Sequence, residues 1–401
     1  MKTKIISGVL ALVLLTIVTS TYSVLFKLKL AQVDSQKIAV SENLFEFATA
    51  ATPSVKLAPT TISASASALN ASTTPTSTST TPVQNTPVPK IFLTGGRTLS
   101  ATGNNIISSS NGSAWTQITA SSSTLWSPRS HHSLTSFNGL MFVMGGFNSN
   151  AGGSPEYNDV YSSVDGVVWT RRLANAPWAD RISHQAVSYN GKLFVMGGST
   201  MTSASSTSCG CRIYLNDVWS SANGINWTSL GNAPWATRDR FASVVFNNRI
   251  WVMGGTVRIL PFPQNIADVW SSSNGISWTQ ATSSAPWGRR SGHSAVAYNG
   301  KIFVMGGANE TTGLLTNDVW SSTNGVNWTL VASTTPWSVR QGHTSLVFDN
   351  YMWVIGGIDF NLSTNTVYTD AWKSRNGINW TRATTTIPNL NGDGFAGVVM
   401  P

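Results

Sequence analysis

The chain has 401 residues, 41% of them hydrophobic and 10% charged, with 17 Trp and 2 Cys. That is ample apolar material for a large core, yet charge falls far below the usual quarter of residues, a balance that suits a hydroxyl-rich β protein better than a helical one. The net charge of +9 comes without a Lys/Arg run or a basic face, which argues against nucleic acid as a partner.

The N-terminus, MKTKIISGVLALVLLTIVTSTYSVLFKLK, sets Lys2 and Lys4 before an uncharged stretch from Ile5 to Phe26. At roughly 1.5 Å per residue a helix of this length crosses a bilayer core of about 30 Å, so residues 1–30 read as a signal anchor. Its densest apolar part, Val9 to Val18, also has the length of a signal-peptide core, and a cleaved signal is the alternative. Both readings predict export, to a membrane-anchored place at the cell surface or into the medium. Residues 31–89 are rich in Ser, Thr, Ala and Pro, and too poor in apolar groups to offset the entropy of ordering. They read as a linker or stalk.

From Lys90 the sequence repeats itself. An apolar strand ending in two glycines occurs six times: IFLTGG (Gly95, Gly96), MFVMGG (Gly145, Gly146), LFVMGG (Gly197, Gly198), IWVMGG (Gly254, Gly255), IFVMGG (Gly306, Gly307) and MWVIGG (Gly356, Gly357). The spacing is 50 to 57 residues. Each copy is followed by a phrase such as NDVWSSTNGVNWT, whose shared part is Ser-x-Asn/Asp-Gly-x-x-Trp, ending at Trp115, Trp169, Trp227, Trp278, Trp328 and Trp380. A period near 50 predicts a repeat architecture of one supersecondary unit per copy. In the fifth copy, His293–Asn299 is strand A, Asn299-Gly300 a tight hairpin and Lys301–Gly307 strand B. A longer loop leads to strand C at DVWSS, and Asn324-Gly325 turns the backbone into strand D around Trp328. Asn-Gly accepts the positive φ angles that tight hairpins need. Strand B is apolar on both faces, as in a sheet sandwiched between neighbours.

These residues resemble the kelch repeat, a four-stranded propeller blade, and the resemblance covers residues 90–401. It implies an all-β fold. The Ser-x-Asn/Asp-Gly-x-x-Trp phrase is similar to the Asp-box hairpin of sialidase-type propellers, where the motif braces the fold and is not the catalytic site. Strands B, C and D occur six times before the final strand A, FAGVVM (Phe395–Met400), which aligns with FASVVF from Phe241. The expectation is a closed six-bladed β-propeller of four-stranded blades, with the C-terminal strand completing the blade begun at Lys90 and so leaving no open sheet edge. The twelve glycines and six tryptophans are expected to be scaffold, the Trp residues acting as large buried anchors.

A third element, Trp-x-x-Arg-x-x-His, precedes strand A at Trp126/Arg129/His132, Trp178/Arg181/His184, Trp287/Arg290/His293 and Trp337/Arg340/His343. Phe241 and Phe395 stand at the His position in the other two copies. Bracing of loops between blades is the expected role, with an anionic-ligand ring or a metal site as alternatives. Catalysis needs residues that break the repeat. From Lys90 onward the only Glu residues are Glu156 and Glu310, and most Asp residues fall at repeated positions, so a catalytic carboxylate pair is hard to assemble. The kelch resemblance extends to a copper-dependent oxidase, but the two cysteines, Cys209 and Cys211, have no His near them in sequence, and metal-site spacing is not met. In an exported protein Cys209-Gly210-Cys211 is expected to close as a strained disulfide, with two free thiols as the alternative.

All A–B and C–D connections are expected to be two-residue turns on one face, leaving the long B–C loops and the D–A loops on the other. Long, individual loops on a rigid scaffold are where recognition usually resides. Glu156 and Tyr157 in the loop after Gly146, and Ile259, Leu260 and Phe262 in the loop after Gly255, are the candidate contact residues. The reading is a non-catalytic, exported module with no cofactor and no metal that binds a protein or glycan through these loops, with the N-terminal segment engaging a membrane. The alternatives are a glycan-active propeller enzyme of the sialidase or lyase type and a purely structural surface component.

Overall fold

The computed structural model describes residues 88–401, except 122, 124, 151–154, 202–211, 260–261 and 361–364. The expected anchor, the linker up to residue 87, the cysteine pair and Leu260 lie outside the described residues. No helix is present among the described residues. The first strands are β1 (Lys90–Arg97), β2 (Ile106–Ser109) and β3 (Thr116–Gln117). The second sheet holds β4 (Ser133–Phe137), β5 (Leu140–Met144), β6 (Val160–Ser163) and β7 (Thr170–Leu173). The third holds β8 (Gln185–Tyr189), β9 (Lys192–Met201), β10 (Arg212–Ser221) and β11 (Trp227–Asn232).

Next come β12 (Arg238–Asp239), β13 (Ala242–Phe246), β14 (Arg249–Met253), β15 (Thr256–Ile259), β16 (Phe262–Asn265), β17 (Val269–Ser272) and β18 (Trp278–Thr282). Of these, β13, β14, β17 and β18 make a four-stranded sheet, while β12, β15 and β16 form a small separate one. Then follow β19 (Arg290–Ser291), β20 (Ser294–Tyr298), β21 (Lys301–Asn309), β22 (Leu314–Ser322) and β23 (Thr329–Ala332), which share one sheet. The next sheet is formed by β24 (Thr344–Phe348), β25 (Tyr351–Phe360), β26 (Asn365–Ser374) and β27 (Thr381–Thr384). The last strand, β28 (Asp393–Met400), runs antiparallel to β1, with Ile91 opposite Val399 and Gly95 opposite Phe395.

The second strand of each sheet is apolar on both faces because both faces are covered. Met141, Val143 and Met144 are fully buried, as are Ile302, Val304 and Met305. One cluster packs Phe92 and Ile106 of the first sheet against Leu134, Met141 and Val143 of the second. Another packs Leu346, Trp353 and Ile355 against Ile91, Leu93, Ile107 and Phe395. Dry sheet-on-sheet contact of this kind supplies most of the driving force, at about 25 cal/mol per Å² of apolar surface removed from water.

Two expectations about connections are corrected. The A–B turns are two residues long, as at Asn299-Gly300 between the paired Tyr298 and Lys301. The C–D connections are not: β22 ends at Ser322 and β23 begins at Thr329. The longer turn is stable because side chains serve its backbone. Ser322 Oγ accepts from the amides of Asn324 (3.2 Å) and Gly325 (2.8 Å), and Asn324 Oδ1 accepts from Val326 and Asn327, both at 2.9 Å. Trp328 Nε1 then donates to Gly325 O at 3.1 Å. Gly325 has φ +71°, and a Cβ there would collide with the Trp251 ring of the adjacent sheet, so glycine is required twice over.

The B–C connections also differ from the expected loops. In the third, fifth and sixth sheets the strands run on past the double glycine, so that Gly307 pairs with Thr316 and Asn309 with Leu314. In the fourth, β15 and β16 form the equivalent hairpin, with Ile259 opposite Phe262. Alternation of polar and apolar residues in these segments lacks a core-facing pattern, so the sequence read as loop what backbone pairing extends.

Candidate functional site

The Arg of each Trp-x-x-Arg-x-x-His element is fully buried in five copies. Arg181 shows why this is tolerated. Its Nη1 donates to Asp217 Oδ1 (2.9 Å) and Gly197 O (2.9 Å), Nη2 to Asp217 Oδ2 (2.8 Å), and Nε to Ala179 O (3.2 Å). Arg129–Asp159, Arg238–Asp268, Arg290–Asp318 and Arg340–Asp370 repeat the forked pair. Burial raises the Asp217 carboxyl pKa, but the Arg181 hydrogen bonds and charge outweigh it and hold the group below its ordinary value. The Arg that precedes each strand A thus clamps the Asp that opens strand C, and it is not available to a ligand.

The four histidines are likewise inward. His132 is hydrogen-bonded to Thr94 Oγ1 (2.9 Å), His184 to Ser133 Oγ (3.0 Å) and His343 to Ser294 Oγ (2.8 Å). Among the described residues His293 finds no hydroxyl partner, because Ala242 stands where His184 and His343 meet Ser133 and Ser294, whereas His132, with Ala396 at that place, meets Thr94 of β1 instead. Burial, and then the adjacent Arg290 and Arg340, push His293 and His343 down to about 3, and the same causes act on His184 with Arg181. They are neutral near pH 7. The tryptophan of each element meets the hairpin tryptophan edge to face, Trp126 on Trp169 at 6.0 Å and Trp178 on Trp227 at 4.4 Å. Among the described residues Trp115 has no such partner, since Asn389 occupies that slot.

One residue before each of these His or Phe positions the backbone turns into the left-handed region: His131 (φ 56°), Ser183 (51°), Arg240 (51°), Gly292 (62°), Gly342 (64°) and Gly394 (63°). Amides and carbonyls link them in succession. His131 N donates to Gly394 O (2.6 Å), Ser183 N to His131 O (2.9 Å) and Arg240 N to Ser183 O (3.1 Å). Gly292 N donates to Arg240 O and Gly342 N to Gly292 O, both at 2.9 Å. This girdle borders a cavity of about 260 Å³ whose wall also includes Arg97, Gln341, Phe360 and Asp393. Arg97 Nε donates to Asp393 Oδ2 at 2.7 Å. Arg240 is exposed. His131 is held down at about 4 by burial, against the pull of Asp393 and with the push of Arg240.

A second polar group sits beside the girdle. Asp239 is buried, accepts from Ser199 Oγ at 2.7 Å, and is raised above its ordinary value by burial despite Arg240. Arg212 Nη1 reaches Ser199 Oγ (3.1 Å) and Glu156 (3.0 Å). Glu156 therefore turns inward, its side chain 4% exposed and also bonded to Met201 N. Tyr157 lies under the Arg129 guanidinium at 4.3 Å. The structure does not bring these two together with the other candidate contact residues. Phe262 is 63% exposed at the hairpin of β15 and β16, where Ile259 is its pairing partner. Sequence reasoning missed Met201, Leu314 and Phe360, exposed apolar side chains near the ends of the other extended hairpins. Their signal was a large apolar residue in an otherwise polar loop, the same one that singled out Phe262.

The kelch-repeat domain model of the KLHDC2/KLHL20/DRC7 type matches residues 183–397, and the general kelch motif matches residues 128–162. The protein belongs to the kelch-repeat family. As a kelch β-propeller it falls in a class that generally mediates protein binding and is typically not catalytic. Among curated proteins, a 144-residue stretch is 28% identical to the Drosophila melanogaster leucine-zipper-like transcriptional regulator 1 homolog, covering 35% of this sequence and 14% of that protein. A 138-residue stretch is 32% identical to the flagellar outer-arm dynein alpha chain of Chlamydomonas reinhardtii, covering 32% of this sequence and 3% of that protein. The similarity thus spans a small part of both relatives.

Proposed function

We propose that this kelch protein is a closed, six-bladed, non-catalytic propeller that binds a partner protein on the face carrying the extended B–C hairpins. Closure is supported by the pairing of β28 with β1 and by the cyclic succession of first strands: β4 lies beside β8, β8 beside β13, β13 beside β20, β20 beside β24, β24 beside β28 and β28 beside β4. The girdle of left-handed residues follows the same order.

The binding face rests on one observation. Met201, Phe262, Leu314 and Phe360, from four successive sheets, are 45–67% exposed at or near the hairpin ends, while the repeated Arg and His side chains are consumed inside the fold. Apolar groups displayed by separate hairpins mark an interaction surface. The internal pairing of the repeated charges also favours a scaffold role over a catalytic one. Display outside the cytoplasm through residues 1–30 belongs to this proposal and rests on the sequence.

The test compares a triple variant, Phe262→Ser, Leu314→Ser and Phe360→Ser, with a control carrying Val167→Ser and Ile276→Ser on the C–D hairpins. Both should fold with unchanged circular dichroism and melting. Loss of saturable partner binding in the first alone supports the reading. Equal loss in both, or specific turnover of a sugar substrate, overturns it.

A further inference from the structure

The sequence holds nine Asn-Gly dipeptides; eight fall into two groups that the fold treats differently, and the ninth, Asn391-Gly392, belongs to neither. Asn111, Asn223, Asn274, Asn324 and Asn376 lie in the C–D hairpins, where the glycine amide donates to a serine Oγ at 2.8–2.9 Å. The Asn Oδ1 in these hairpins accepts from the amides two and three residues on, as Asn223 does from Ile225 (2.9 Å) and Asn226 (2.8 Å). Asn138-Gly139, Asn190-Gly191 and Asn299-Gly300 lie in the A–B turns. Both residues of each pair are exposed, and among the described residues no side-chain hydrogen bond holds the asparagine and nothing stands within 4 Å of the position a glycine Cβ would take.

We propose that Asn138, Asn190 and Asn299 are sites of spontaneous deamidation, and that the serine-tied hairpins protect Asn111, Asn223, Asn274, Asn324 and Asn376. The glycine backbone nitrogen, deprotonated by hydroxide, attacks the asparagine Cγ. A new bond forms between that nitrogen and Cγ, the bond from Cγ to Nδ2 breaks, and Nδ2 takes a third proton from water, regenerating hydroxide, and leaves as ammonia. The resulting succinimide is opened by water at either carbonyl, giving aspartate or isoaspartate without any oxidant or reductant. Glycine permits this because no side chain shields its amide. In the tied hairpins the same attack requires the serine bond and two asparagine bonds to break first, which slows it by about tenfold or more. Asn138, Gly139 and Gly191 also line a shallow hollow with Ser136, Ser188 and Pro401, so the new carboxylates would gather at that end of the sheets.

The test incubates the full-length protein at mildly alkaline pH and follows each Asn-Gly site by peptide mapping and mass spectrometry. Conversion at 138, 190 and 299 should run at least about tenfold faster than at 111, 223, 274, 324 and 376. In urea the contrast should vanish. Ser322→Ala, which releases the Gly325 amide, should bring Asn324 up toward the rate of Asn299. Equal rates at all sites in the folded protein, a contrast that persists in urea, or an unchanged Asn324 in a folded Ser322→Ala variant would each overturn the proposal.

Discussion

The forked pair of Arg181 and Asp217 is the most consequential charged contact to disturb. Arg181→Met removes four hydrogen bonds from a fully buried guanidinium and leaves the largely buried Asp217 carboxylate facing Gly197 O with its own backbone amide and Trp219 Nε1, at 2.8 Å, as donors. Breaking one side of such a pair costs about 3–5 kcal/mol, because a charge is left uncompensated. Asp217→Asn should cost about 2–3 kcal/mol, keeping the Trp219 contact but losing ionic attraction. The double variant should fall short of the sum by about 1–3 kcal/mol, since the second change removes the charge that the first stranded. Urea unfolding of the four proteins, monitored by tryptophan fluorescence, gives the cycle directly. Costs that simply add would refute the claim that the two residues act as one clamp.

Three further outcomes follow from contacts described above. Ala242→Ser gives His293 the hydroxyl its three counterparts have, and should raise unfolding free energy by about 1 kcal/mol; a loss of stability would show that the site has no room for the group. Acid should destabilise the domain early. His184, His293 and His343 have folded values near 3, well below the ordinary 6.5, so the unfolded state binds protons first as pH falls. Their contribution is intact above about 6.5 and declines toward 3 by on the order of 1 kcal/mol per histidine per pH unit, and Asp217 adds to the loss only below about 4. Flat urea midpoints between pH 7 and 5 would contradict neutral burial. Removing residues 395–401 should abolish cooperative unfolding, because it deletes most of β28 and exposes Ile91 and Leu93; a truncated protein that still melts sharply would argue against closure of the ring.

Strand order, the double glycine, the hairpin motif and the role of Phe395–Met400 beside β1 were legible because each is written several times at a fixed period. The clamp was legible too, and missed. Asp159, Asp217, Asp268, Asp318 and Asp370 occur in the copies that carry Arg129, Arg181, Arg238, Arg290 and Arg340, and the remaining copy has Asn105 with Gly392, losing both charges together. The Phe241 and Phe395 replacements follow a similar rule, since both come two residues after an aspartate, Asp239 or Asp393. What the sequence hid was the fate of individual residues. Nothing in the order of letters reveals that Glu156 turns inward to Arg212 from a different repeat, or that β21 and β22 keep pairing beyond the glycines. Those depend on which loop lies beside which.

The girdle around the cavity has one more implication. Three of its positions, Gly292, Gly342 and Gly394, are bare backbone, and the three consecutive others carry an imidazole, a hydroxyl and a guanidinium. A scaffold built from near-identical units would otherwise offer a guest several interchangeable settings. With the girdle's own side chains gathered on one semicircle, the opening has a compass bearing, and its sides are not interchangeable.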